Sequence, residues 1–158
     1  MSKITCPFVR EPIIDFFICP SSAYLAALHK SNPNAEIHKP IKVRGLIDTG
    51  FEGGMLIHAP LLKSWGLKTR NFVAINSISA GGVGFFGEYA WETELGMRFE
   101  IANPRHPNIH IESVPATLVE FMGTDSYNAL IGCQILQRCT FVYDGPKKEL
   151  TLAFHNKP

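Results

Sequence analysis

Asp48 is the residue in this chain whose type and setting best suit acid–base chemistry. It stands in Leu46-Ile47-Asp48-Thr49-Gly50, where an apolar run containing Val43, Leu46 and Ile47 ends and a glycine-bearing turn begins. A carboxylate delivered by a strand to the start of a turn has two uses. Its oxygens can accept backbone N–H groups and shape the turn, or they can exchange protons with a bound molecule. Three common residues in a row do not decide between these, so the surrounding pattern has to.

Other groups that could carry chemistry are less well arranged. His106 and His110 are separated by three residues, but Pro107 breaks the helix that would bring them to one face. No cysteine or carboxylate cluster completes a tetrahedral set, so no metal is expected. Cys6, Cys19, Cys133 and Cys139 show no Cys-x-x-Cys spacing, and Cys133 and Cys139 read as small apolar residues rather than a nucleophile or redox pair. The run Ala80-Gly81-Gly82-Val83-Gly84 lacks the Lys-Ser/Thr of a phosphate loop. Trp65 and Trp91 read as core, and Lys147-Lys148 as a solvated turn. No cofactor is expected.

The bulk properties set the frame for these residues. The chain has 158 residues, 46% of them hydrophobic and 18% charged, with a formal net charge of +1. That length fits one domain, residues 1–158, and the near-neutral balance gives no electrostatic reason to expect nucleic acid or a membrane as partner. The N-terminal Met-Ser-Lys-Ile-Thr-Cys-Pro lacks the apolar stretch of a signal peptide, and no apolar run is long enough to cross a bilayer. The expectation is a cytoplasmic protein with reduced thiols.

Eleven Phe, thirteen Gly and eleven Pro favour strands and turns. Strands are expected at 12–19, 41–47, 55–57, 72–78, 85–95, 97–102, 110–121, 129–132, 140–143 and 150–154. Pro104, Pro107 and Pro115 are expected to interrupt the region around the seventh of these. Short helices are expected at 23–30, capped by Ser21 or Ser22, at 60–65, and as a turn at 133–138. Residues 21–40 read as an insertion before the strand that leads into Asp48. Residues 72–95 read as a long hairpin with a glycine-rich tip.

The order of these features resembles the retropepsin-like aspartic peptidases, the retroviral enzymes and their cellular and bacterial relatives. An apolar pair before Asp48-Thr49-Gly50, a downstream glycine-tipped hairpin, Ala129-Leu130-Ile131-Gly132 before a helical turn, and a closing hairpin follow one another from residue 41 to 154. The resemblance implies a closed, mainly β barrel with one or two short helices and a mobile flap. It implies that Asp48 is one carboxylate of a dyad that activates a water against a peptide bond. Thr49 would orient the loop through its hydroxyl, and Gly50 would leave room for substrate backbone. Ala80, Gly81, Gly82 and Val83 would form the flap tip. Glu52 would hold substrate backbone, and Phe51, Val83 and Leu130 would wall an apolar pocket.

With a single Asp-Thr-Gly in the chain, the dyad requires Asp48 from each of two subunits, so the resemblance implies a homodimer acting on extended polypeptide. Two departures bear on that expectation. Phe51 stands where the viral enzymes carry Ala or Ser, and its ring would narrow or reshape the substrate pocket, although some bacterial relatives carry Asp-Thr-Gly-Phe. Cys133-Gln134 follows Gly132 where the viral enzymes have an Arg-containing sequence at the dimer contact. Two other readings stay open: a dimerisation or peptide-binding module with little or no proteolysis, and an unrelated β-barrel in which Asp48 only caps a turn, which a fold lacking the loop crossing near Gly132 would support.

Overall fold

The computed structural model describes residues 2–65, 72–78, 84–100, 108–122 and 125–155. The first strand, β1 (Ser2–Pro7), is followed by β2 (Ile13–Pro20), helix α1 (Ser22–Ser31) and β3 (Ile41–Ile47). Strand β4 (Met55–His58) runs into a 3₁₀ helix, Ala59–Trp65, and the hairpin of β5 (Phe72–Ile78) and β6 (Gly84–Phe99) leads to β7 (Ile109–Met122). The short β8 (Ala129–Ile131), helix α2 (Cys133–Leu136) and a final hairpin of β9 (Cys139–Asp144) and β10 (Glu149–Phe154) complete the order.

Six strands close on themselves. The order β2-β3-β8-β4-β7-β6 returns to β2 through a β2–β6 pairing, which makes a six-stranded barrel, and β5 extends it from β6. Full closure removes the open edges that a curled sheet would otherwise expose. At the closing seam Phe17 pairs with Arg98, whose guanidinium lies 4.9 Å from the Phe17 ring centroid. Side chains from alternate positions fill the interior, with Phe16, Ile18, Met55, Ile57, Leu95 and Met97 essentially without solvent contact. A second, three-stranded sheet, β1-β10-β9, packs Ile4, Leu150, Leu152 and Phe154 onto the same core.

Several elements differ from expectation, each for a physical reason. Strand β1 was not expected, because its six residues gain their pairing from β10: Thr5 and Thr151, whose hydroxyls are 2.9 Å apart, are 146 positions distant in sequence. The two strands expected at 85–95 and 97–102 are one strand over their described part. A register shift between Leu95 and Met97 lets β6 bend at buried Gly96, which a local reading takes for a break. Pro115 lies inside β7 opposite Glu94, and the β4 ladder begins only at Ala116, so β7 is still an edge on that side. Residues 101–107, including Pro104, His106 and Pro107, lie outside the described residues, as does the hairpin tip at 79–83.

Helix α1 forms where the Ala- and Leu-rich run predicts it. Its cap is Ser21, whose Oγ accepts from the Tyr24 N–H at 3.1 Å, and its end is fixed by Asn32, whose N–H donates to the Leu28 carbonyl at 2.8 Å. No residue of α1 is buried. The segment is held instead by Tyr24, which donates to the Trp65 carbonyl at 3.1 Å, and by His38, which stacks on the Trp65 ring at 5.8 Å. Among the described residues no helix is long and apolar enough to cross a membrane.

Candidate functional site

Strand β3 carries Asp48 to one end of the barrel. Its Ile41 end pairs with Ile18, while Leu46 pairs with Ile13 and the Ile47 N–H donates to the Pro12 carbonyl at 3.0 Å. Seven steps of about 3.3 Å from Ile41 therefore separate the insertion from Asp48 by about 23 Å along the strand. The 21–40 segment does not cover the Asp48 end, as a long insertion next to this strand could have done. It belongs to the opposite rim.

Asp48 is 8% exposed, and with Ser21 it is one of two buried polar residues among those described. Its N–H donates to the Ile131 carbonyl at 3.0 Å, so the strand ladder reaches it. Gly50 N–H donates to Asp48 Oδ1 at 2.9 Å, and Phe51 N–H to the Asp48 carbonyl at 3.2 Å. The turn-shaping use of the carboxylate is therefore present. Among the described hydrogen bonds that use falls on Oδ1.

The loop is locked by a strand passing between its two arms. Strand β8 lies parallel to β3, with Leu46 opposite Leu130, and antiparallel to β4, with Leu56 opposite Leu130. Beyond β8 the chain crosses the loop itself. Gly132 N–H donates to the Gly54 carbonyl at 2.8 Å, Cys133 N–H to Phe51 at 2.8 Å, and Gln134 N–H to Gly53 at 3.2 Å. The Cys133 thiol donates to the Thr49 carbonyl at 3.2 Å. A fold lacking a crossing near Gly132 would have supported an unrelated barrel; the crossing is present.

Clearance makes that crossing possible. A Cβ at Gly132 would fall 2.3 Å from the Gly53 carbonyl oxygen, and one at Gly54 would fall 2.3 Å from that of Pro115. Neither glycine has a left-handed backbone, so the constraint is space rather than conformation.

The expected site residues are placed as follows. Asp48 to Glu52 form one continuous loop, with Thr49, Gly50 and Glu52 exposed. Phe51 is half-buried, and its ring does not stand out from the loop to narrow a pocket: it folds back over Gly53 and Gly132. Leu130 does not form an open wall either, being 1% exposed. It belongs to a second apolar cluster with Leu46, Leu56, Val119 and Tyr127, onto which Phe51 and Ile13 pack. Ala80, Gly81, Gly82 and Val83 lie outside the described residues.

That second cluster was missed by sequence reasoning. Ile47, Ile131, Met55 and Ile57 point into the barrel, so their neighbours Leu46, Leu130 and Leu56 lie on its outer face. Alternation puts Asp48, two positions after Leu46, at the border of this covered apolar face. The signal was present in the uninterrupted apolar runs Leu46-Ile47 and Ala129-Leu130-Ile131, since a strand apolar on both sides is covered on both sides. Tyr127 carried no comparable signal.

The cysteines expected to be buried, Cys133 and Cys139, are only partly so; partial burial pushes the Cys139 and Cys6 thiols each up to about 11, with Asp15 adding to the effect at Cys6. Among the described residues no three His, Cys, Asp or Glu side chains converge on a point where a metal could sit. No protein-family model matches the chain, and no curated protein is similar to it.

Proposed function

We propose that this chain is one subunit of a homodimeric, retropepsin-like aspartic endopeptidase, with Asp48 of each copy forming the dyad. The observation that carries the reading is the loop architecture: a recessed carboxylate at the end of β3, in an arch threaded by β8 and sealed by Gly132, at the border of an apolar face. A turn-shaping Asp needs only its Gly50 contact. In the proposed dimer the threaded arch, with exposed Thr49 and Gly50 next to Asp48 in the loop, presents the carboxylate to a second copy.

Two such carboxylates in contact cannot both ionise readily, so they share one proton. The ionised member takes a proton from a water lying between them, and the water oxygen bonds to the peptide carbonyl carbon. The protonated member then gives its proton to the amide nitrogen, and the carbon–nitrogen bond breaks to leave an acid and an amine. The substrate backbone would lie extended along the cleft, as an added strand with side chains in alternate pockets.

The test joins oligomeric state to cleavage of a peptide library, for wild type and Asp48→Asn. Cleavage by a dimer and its loss of at least about a thousandfold in Asp48→Asn is the expected result. Cleavage that survives the substitution would overturn the reading. The enclosure of Leu130 favours a second reading, a peptide-binding dimer that does not cleave. In that case peptides bind, Asp48→Asn binds equally, and the two carboxylates of a dimer structure lie beyond hydrogen-bond reach, about 3.2 Å.

A further inference from the structure

We infer that Phe51 is the positioning residue for Asp48, acting as a ring seated in a notch made by Gly53 and Gly132. The inference rests on the peptidase reading only for its kinetic consequence; the notch itself stands on geometry. A Cβ built on Gly53 would meet three atoms of the Phe51 ring, at 2.4, 2.9 and 3.0 Å, and these are its three nearest neighbours. A Cβ on Gly132 would meet Phe51 Cδ1 at 2.5 Å as well as two backbone oxygens. The backbone at Gly53 is one that any residue can adopt, so the ring is what excludes a side chain there.

The residue that carries the seated ring links the Asp48 loop to the crossing chain and to the outer apolar cluster. The Phe51 N–H donates to the Asp48 carbonyl, the Phe51 carbonyl accepts from Cys133, and the ring packs on the cluster of Leu46 and Leu130. A smaller side chain at 51 would leave both backbone hydrogen bonds possible while removing the wedge that holds the arch against β8. The carboxylate would then move over a range large enough to matter for a reaction that needs two carboxylates and a water in register. The departure from a small residue at this position is matched, within the chain, by glycine at 53.

The experiment uses the full chain and four substitutions, Phe51→Ala, Phe51→Leu, Gly53→Ala and Gly132→Ala, with the two double variants that combine Phe51→Ala with each glycine change. Thermal unfolding and steady-state cleavage are measured on each. Gly53→Ala is expected to lower both the melting temperature and kcat. Adding Phe51→Ala should restore part of the melting temperature, because the three nearest atoms in the way are gone. No such suppression is expected for Gly132→Ala, which still meets the Gly53 and Phe51 carbonyl oxygens.

At a temperature where they remain folded, Phe51→Ala should lose about ten- to a hundredfold in kcat with a smaller change in KM, and Phe51→Leu less. Equal melting temperatures for Gly53→Ala and its double variant would overturn the notch. A kcat within about twofold of wild type in both folded Phe51 variants would overturn the positioning role. Absence of cleavage by the wild type would instead fail the peptidase reading and with it the kinetic role, while the melting series still decides the notch.

Discussion

At one end of β3 the chain carries Asp48 on a loop whose backbone is bonded to β8 and to the crossing at Gly132, with no room for a methyl group at 54 or 132. At the other end it makes a ten-residue helix with no buried residue, held by side-chain hydrogen bonds from Tyr24 to the Trp65 carbonyl and from Ser22 to the Glu112 carboxylate, and by one stacked ring pair. Both ends are connecting segments next to the same strand, one read in the sequence as a glycine-bearing turn and the other as an insertion carrying a short helix. The difference lies in what fixes them. Tertiary contacts hold the Asp48 end in one arrangement. The opposite rim is built from local helix propensity and capping, which tolerate change because little else depends on them.

This contrast can be tested by substitutions that should differ in cost. The largest effect is expected for Gly132→Ala, where a methyl group meets backbone oxygens that cannot swing aside. We expect a loss of about 3 kcal/mol or more in chemical denaturation. Leu130→Ala comes next, at about 3 kcal/mol, because it empties the centre of the outer cluster that backs the loop. Both should also cost whatever activity Asp48 supports.

At the far rim, Ser21→Ala removes a cap acceptor and should cost about 1 kcal/mol, with cleavage or peptide binding unchanged. His38→Ala, which removes the stack on Trp65, should cost about 0.5–1 kcal/mol. A loss of activity in either far-rim variant, at a temperature where it is folded, would mean that the two ends are coupled and that the contrast is wrong. Gly132→Ala at wild-type stability would break it from the other side.

Some of these features are legible in the residues themselves. The helix of residues 22–31 follows from Ala and Leu spacing, a Ser cap and a Pro just beyond its end. The strands at 41–47, 72–78 and 150–154 follow from runs of β-branched and aromatic residues between turn signals. Phe51 is legible as unusual but not in its effect. A large side chain after Asp-Thr-Gly predicts obstruction when read alone, and only the positions of Gly53 and Gly132 show the ring folding inward.

The sequence by itself determined where a carboxylate meets the end of an apolar strand, because strand propensity and turn chemistry are carried by neighbouring residues. It also determined a mainly β chain with two short helices. Tertiary structure alone decided that β1 exists, that β8 threads the arch between β3 and β4, and that Leu130 faces a covered outer cluster rather than an open wall. Those features depend on pairings between residues far apart in the chain, where a strand's partner, not its own composition, sets what each face touches. The environment of Asp48 is of this second kind: its position was local, and its burial was not.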